Sequence, residues 1–277
     1  MGVKILCWNL GAAYGRWREE PDLHDRAWHW IAALDPDIAF LQETRPPAWA
    51  TERWQVLTGP YQFFASALVA RRGIELRPVE LPVGGALDGF GAYLATAEIG
   101  LAGGGSLLVS SAHTSARLAP ESGHPGLDRS AIARPSVGEP WWNDVAFAGY
   151  RELVVDRRFL IAGDWNTARW LDAEGVPTAD GLEFFQRAAD AGWVDISLDA
   201  DGREGKSWYG SDNPRPYQPD HVFADRETAA TLRTFAIEPW PVSALGLSDH
   251  APLVFELELE VAVAPVAAEV ELATVIG

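Results

Sequence analysis

Short apolar runs of strand length, each closed by an acid, an amide or a histidine, are what most restricts how this chain can fold. Cys7-Trp8-Asn9, Leu41-Gln42-Glu43-Thr44, Ala112-His113, Gly163-Asp164-Trp165-Asn166 and Ser248-Asp249-His250 follow in that order, with Pro219-Asp220-His221 just ahead of the last. One Asp-x-Asn or one Asp-His is an ordinary turn. Six such islands in series instead place carboxylates, amides and imidazoles at strand ends along one edge. Carboxylates there hold a hard cation, and histidines move protons.

The segments between the islands alternate in character. Val3 to Trp8 and Asp37 to Leu41 read as strands, and between them Leu23, Ala27, Trp30, Ile31 and Leu34 recur at helical spacing until Pro36. Ala65 to Ala70, Ile74 to Leu81, Ala92 to Ile99 and Ser106 to Ala112 read as successive strands, with turns at Gly84-Gly85 and Gly103-Gly104-Gly105. Thr114 to Pro140 is irregular, Trp141 to Asp156 reads as a helix and Phe159 to Ala162 as a buried strand. Asp180 and Glu183 have capping-box spacing for a helix carrying Leu182, Phe185 and Ala189, with Gly192 at its C-cap. Val222 to Ala224, Leu232 to Ile237 and Pro252 to Glu260 complete the strands, and an acidic segment follows. Strand runs mixed with outer helices suit two packed sheets with helices outside them.

In residues and order the islands resemble the endonuclease/exonuclease/phosphatase superfamily, which includes deoxyribonuclease I, exonuclease III-like abasic-site endonucleases, sphingomyelinases, inositol polyphosphate 5-phosphatases and mRNA deadenylases. The resemblance runs from Lys4 to about Glu260. It implies an α/β (α+β) fold, a four-layered α/β/β/α sandwich of two mostly antiparallel sheets flanked by helices. Residues 1–260 would form one domain and residues 261–277 an acidic tail. It also implies that Glu43, Asn9, Asp249 and Asp164 hold Mg²⁺ or Mn²⁺, and that Asp220 and His250 form a dyad activating water. Asn166 would donate to a phosphate oxygen, and Asp164 would orient the nucleophile or touch a second metal. His113 would stabilise the phosphate or protonate the leaving oxygen; exonuclease III-like members tend to have tyrosine nearby. The chain departs from many relatives at Gln218, where they carry arginine, and Arg215 is close enough in sequence to stand in for it.

Composition narrows the alternatives. At 277 residues with 48% apolar residues and 13 Trp, the chain has the size and content for one large core. A net charge of −17 argues against a broad basic face gripping duplex DNA by counterion release. A cation and a few arginines can still invert the local potential. No apolar run approaches bilayer length, and the start is a poor signal peptide. The single cysteine, Cys7, reads as an inert core residue; with no leader visible, a cytoplasmic location is expected. His24 and His29 read as solvated helix positions, and Trp141 and Trp142 as core residues or as platforms for a base. His124, Arg117, Arg129 and Arg134 fall in the irregular segment, which either roofs the site or is a tolerated insertion.

The reading that follows is a metal-dependent phosphodiesterase cutting nucleic acid. A phosphatase or phosphodiesterase for a lipid or small molecule is the alternative, favoured by the acidic charge. A non-catalytic binding module on the same fold is the third, and the filled catalytic positions oppose it.

Overall fold

Side-chain alternation sends successive residues of one strand to opposite faces, so a run apolar at every position needs a core on both sides. The central strands meet that need. In β1 (Gly2–Asn9) Ile5 and Cys7 join the core between the sheets, while Leu6 and Trp8 face outward. In β2 (Ile38–Thr44) Phe40 lies inside, and Ala39 and Leu41 lie outside. Helix α1 (Pro21–Leu34) covers that outer face with Ala27, Trp28 and Ile31. It stops at Asp35, whose φ of 53° is left-handed, one residue before the expected breaker Pro36.

The second sheet is built the same way. In β8 (Arg158–Asp164) Leu160 and Ala162 face inward, and Phe159 and Ile161 face outward. Phe147 and Tyr150 of α2 (Trp142–Leu153) and Phe184 of α3 (Gly181–Asp190) cover the outward face. Layers therefore run helix, sheet, sheet, helix. Truncating an inner residue such as Phe40 to alanine would cost ~3–5 kcal/mol through the cavity left behind.

This computed structural model describes residues 2–12, 19–59, 64–82, 85–115, 117–119, 128–133, 138–169, 181–210 and 217–264. The remaining strands are β3 (Trp54–Thr58), β4 (Ala65–Arg71), β5 (Arg77–Pro78), β6 (Leu94–Gly100) and β7 (Ser106–His113). They are followed by β9 (Val194–Asp195), β10 (Asp220–Ala224), β11 (Leu232–Ile237) and β12 (Leu253–Glu258). One six-stranded sheet has the order β11-β12-β1-β2-β4-β3, the other β5-β6-β7-β8-β10-β9. β1 pairs with β2 in parallel, as does β7 with β8, and the other pairings between these strands are antiparallel.

Those two parallel pairs position the site. A parallel pair brings both carboxyl ends to one edge, and an antiparallel neighbour brings its amino end there. Asn9 and Glu43 close β1 and β2, His113 and Asp164 face each other at the ends of β7 and β8, and Asp220 opens β10 opposite Asp164.

Several expected elements differ. Of Ile74 to Leu81 only Arg77–Pro78 forms ladder strand, because Pro78 and Pro82 remove donors at an exposed sheet edge. Ala92 and Tyr93 lie in a 3-10 helix (Asp88–Tyr93), so β6 begins at Leu94. The helix expected to Asp156 ends at Leu153. β3 and β9 lie at sheet edges with half-buried patterns and gave no clear sequence signal. The turn at Gly103-Gly104-Gly105 is present, with φ of 92° and 82° at the last two. Past β12, Val261 bridges Leu101, Val263 bridges Ile74, and the Ala264 N–H donates to the Gly73 carbonyl. Gly84, His124, Arg134, Asp180, Arg215 and residues 265–277 lie outside the described residues. No helix among the described residues is long and apolar enough to cross a membrane.

A buried ion network ties the loop after β8 to β9 and β10. His221 Nδ1 lies 3.0 Å from Asp195 Oδ2, and His221 Nε2 lies 3.1 Å from the Thr167 carbonyl. Arg169 Nη1 bridges Asp195 at 2.8 Å and Glu204 at 3.3 Å. Burial alone would lower the His221 imidazole, but the charge and hydrogen bond of Asp195, with the Glu204 charge, hold it above its usual value. Burial would likewise raise Asp195, yet the His221 and Arg169 charges hold its carboxyl well below the carboxylate range. A raised imidazole stabilises fully below its unfolded value of about 6.5, and the benefit is lost as pH rises through the folded value. The depressed carboxyl acts oppositely: its contribution is present above ~3.9 and is lost as pH falls through the lower folded value. The melting temperature is expected to fall as pH rises above ~6.5, more steeply than in His221→Asn. Equal slopes in thermal melts of the two proteins would show that this pair does not carry the linkage.

Candidate active site

Glu43 has a φ of 46°, a left-handed backbone that a residue with a Cβ seldom adopts. Strand pairing explains it: the register between β2 and β4 shifts between Leu41 and Thr44, so Gln42 and Glu43 form a bulge. Backbone N–H groups of Leu10 and Ala12 donate to the Gln42 and Glu43 carbonyls at 2.9 and 3.0 Å. Helix α1 grips the chain beyond the bulge, with Trp28 Nε1 donating to Thr44 Oγ1 at 3.1 Å and the Arg45 N–H donating to His24 Nε2 at 3.0 Å. His24, expected to be solvated, is half-buried, and burial keeps its imidazole below the usual value. His29 is exposed as expected, paired with Asp25 and stacked on Trp49.

Asn9 links the two sheets. Its Oδ1 accepts from the Gly11 N–H at 2.9 Å, which fixes the amide orientation. Its Nδ2 donates to Asp164 Oδ2 at 3.0 Å and reaches Glu43 Oε1 at 3.5 Å. The amide thus clamps two carboxylates, and its own oxygen is turned to the backbone. Ser248 Oγ donates to the Asn9 carbonyl at 2.7 Å and accepts from the His250 N–H at 3.0 Å, tying the last island to the first.

Asp220 and His250 meet as expected. His250 Nδ1 lies 2.9 Å from Asp220 Oδ2, Ser207 Oγ donates to the same oxygen, and Asp220 Oδ1 is buried without a hydrogen-bond partner. On its other side His250 Nε2 lies 3.8 Å from Asp164 Oδ2. Burial would lower this imidazole, but the charge and hydrogen bond of Asp220 and the charge of Asp164 raise it to about 10. Gln218 does structural work where relatives carry arginine. It is fully buried, accepts from the Gly205 N–H at 2.7 Å, and donates to the Ser197 and Asp220 carbonyls at 2.7 and 3.2 Å.

Asp164 lies at the centre. Burial, joined by the Asp220 charge, raises its carboxyl to about 6 against the opposing pull of His250, His113 and the Asn166 N–H. His113 Nε2 lies 3.5 Å from Glu43 Oε1 and 3.8 Å from Asp164 Oδ2. Burial dominates its titration and holds it below the usual value, so the ring is a neutral donor beside two carboxylates. Asn166 has a φ of 51°; its N–H donates to Asp164 Oδ1 at 2.9 Å and its Nδ2 to the Thr114 carbonyl at 3.0 Å. Asp249 is half-buried on the same cavity and accepts from the Trp208 indole at 3.3 Å. Cys7 is buried beneath the site with its thiol pushed up by burial, and serves as core.

The donor set suits a hard divalent cation. Glu43 and Asp164 converge on shared N–H donors, a further buried oxygen is orphaned on Asp220, and oxygen-rich sites select Mg²⁺ or Mn²⁺ over softer ions. Ligating atoms of Asp164, Asp220 and His250 also lie within 4.8 Å of one another. Within that trio Asp220 and His250 are bonded to each other. Glu43, His113, Asp164, Asn166, Asp249 and His250 line a cavity of about 510 Å³, whose lining also carries Phe90, Tyr93 and Trp142. Of the irregular segment, Thr114, Ser115 and Arg117 line it, while Arg129 turns away to the Ala119 carbonyl and Glu139.

A family model described as "Endonuclease/Exonuclease/phosphatase family" matches residues 6–250. Among solved structures, the chain is similar to a 3'-5' exonuclease from Neisseria meningitidis at 18% identity and TM-score 0.64, covering 92% of this chain and 99% of that one. An AP endonuclease from Leishmania major aligns at 15% identity and TM-score 0.62, over 92% and 87% of the two chains. Truncated TDP2 from Caenorhabditis elegans aligns at 16% identity and TM-score 0.56, over 93% and 98%. At these identities the likeness shows a shared fold. No curated protein sequence matches.

Asn9→Asp replaces the shared donor with a third carboxylate. The metal-free protein is expected to melt roughly 5 °C or more lower, and Mg²⁺ should raise its melting temperature further than it raises wild type. An unchanged metal-free melting temperature would mean that the Asn9 amide is not what holds Glu43 and Asp164 together.

Proposed function

The chain belongs to the endonuclease/exonuclease/phosphatase family, and from that premise we propose that this phosphoester hydrolase is a divalent-metal-dependent phosphodiesterase acting on nucleic acid. The observation that carries the reading is the convergence of the Asp220–His250 dyad, Asp164 and Glu43 on one cavity from two different sheets. The nucleases among the proteins of similar fold favour a nucleic acid substrate.

Glu43 and Asp164 would hold Mg²⁺ or Mn²⁺, with Asn9 clamping both and Asp249 facing the same cavity. When bound, the ion supplies charge neutralisation at the phosphate. The protein does the rest. Asp220 fixes the tautomer and orientation of His250 through Nδ1, leaving Nε2 toward the cavity. In the ligand-free site the charge and hydrogen bond of Asp220, and after them the charge of Asp164, keep this ring protonated; neutralising Asp164 would remove the smaller part of that pull. The attacking water would approach phosphorus from the His250 side. Asn166 commits one amide hydrogen to the Thr114 carbonyl and presents the other to a phosphoryl oxygen, and neutral His113 donates nearby.

A lipid or small-molecule phosphoester is the second reading, favoured by the net charge of −17. His250→Ala is expected to lower metal-dependent turnover of bis-(p-nitrophenyl) phosphate ~10²–10⁴-fold, and Glu43→Gln to abolish its response to Mg²⁺. Both variants should retain the wild-type circular dichroism spectrum. Wild-type turnover in either variant would sink the assignment of the site, and hydrolysis confined to sphingomyelin or inositol phosphates would move the function to the second reading.

A further inference from the structure

The cavity has two unlike halves. One carries the acids and imidazoles; the other is an aromatic wall of Phe90, Tyr93 and Trp142, and Trp208 also lines the cavity. Tyr93 is 41% exposed, and its ring stands edge-on to His113 at 5.3 Å, so the wall begins directly beside the phosphoryl position. Trp142 is half-buried and meets Phe90 edge-on at 5.2 Å. The 3-10 helix presenting Phe90 and Tyr93 breaks at Gly91, with φ 47° and ψ −114°, a backbone that only glycine adopts readily. Added side-chain volume at Gly91 would meet open space, so glycine is there for the conformation that aims the two rings and not for room. The N–H of Trp142 donates to the Arg117 carbonyl at 3.0 Å, tying the wall to the rim. Arg117 is the only lysine or arginine lining the cavity among the described residues.

We infer that this wall is a nucleobase subsite: the base of the nucleotide flanking the scissile phosphate stacks against Tyr93 and Trp142, so the substrate is single-stranded or a frayed chain end, not the interior of a duplex. The inference rests on the phosphodiesterase reading above. A base seated in a concave pocket beside its own phosphate has left its stack, a cost that is least for unpaired strands. Aromatic stacking accepts any base without hydrogen-bond readout, which fits a wall without a row of polar groups. A duplex would need a track of cations along its backbone, whereas this protein carries −17 net charge and, among the described residues, offers the cavity one arginine. Aromatic rings beside carboxylates also suit a quaternary ammonium group, but here Arg117 lies on the same cavity and the Trp208 indole engages Asp249.

The test is calorimetric and kinetic. In a His250→Ala background with Mg²⁺, thymidine 5'-phosphate and thymidine 3'-phosphate are titrated beside deoxyribose 5-phosphate and phosphocholine. At least one thymidine phosphate is expected to bind ~10-fold or more tightly than the base-free compound. Adding Trp142→Ala should remove most of that ratio, and Trp142→Phe should restore it; Tyr93→Phe should preserve it. With the unsubstituted protein, kcat/KM for a single-stranded oligonucleotide should exceed that for the same strand in a blunt duplex by ~10-fold or more. Equal affinity with and without the base, a ratio indifferent to Trp142→Ala, or a preference for duplex overturns the subsite. Tighter binding of phosphocholine overturns it in favour of an ammonium cage. Failure of the underlying reading looks different: no metal-dependent turnover of bis-(p-nitrophenyl) phosphate, which removes both.

Discussion

Everything at the site depends on a polar seam that fixes one sheet against the other. Apolar faces alone allow two sheets to slide, since dispersion and hydrophobic burial are non-directional. Here Asn9 on β1 donates to Asp164 on β8, Gln42 on β2 donates to Ser111 on β7 at 2.9 Å, and Ser111 donates back to the Leu41 carbonyl at 2.9 Å. All of these groups are buried, and a slip of one residue would strand several of them without partners at ~1–3 kcal/mol each. The seam therefore decides which strand ends meet, and with them the chemistry.

Local backbone cost is concentrated at the same place. Glu43 and Asn166 hold left-handed conformations at the ends of β2 and β8, each of order 1–3 kcal/mol, and each is held by neighbours. Trp28 and His24 pin the chain beyond Glu43, while Thr114 and Asp164 hold Asn166. Charge follows the same logic. Asp164, buried among acids and imidazoles, rises to about 6, and Asp220 together with Asp164 carries His250 to about 10. Such an arrangement is poised for a cation that would neutralise the excess of carboxylates. Behind it, the His221–Asp195–Arg169–Glu204 network braces the loop carrying Asn166 from the far side of the sheet.

The central strands, the first helix and the acids, amides and imidazoles of the candidate site could be read from the sequence because they obey local rules. A strand buried on both faces is apolar at every position, and it must end where a carboxylate appears. Legibility failed where the deciding force was remote. His24 looks like any polar helix residue until the Arg45 backbone is folded onto it. β3 and β9 are strands only because an edge was waiting for them, and Arg77–Pro78 stays short because proline cannot extend the ladder. Gln218 looked like a missing arginine, yet it makes three hydrogen bonds, to Gly205, Ser197 and Asp220.

By itself the sequence determined which residues could do chemistry, since side-chain type and strand-end position are local properties. It also determined the layered class, because periodicity records burial on each face. Only the tertiary structure decided how those residues act. It turned the Asn9 oxygen toward Gly11, left His113 neutral beside two acids, and set the Tyr93 ring edge-on to that histidine. Amide orientation, proton affinity and pocket shape are set by groups far apart in the chain. Their physical cause is desolvation and directional bonding between strands that have no sequence relation to one another.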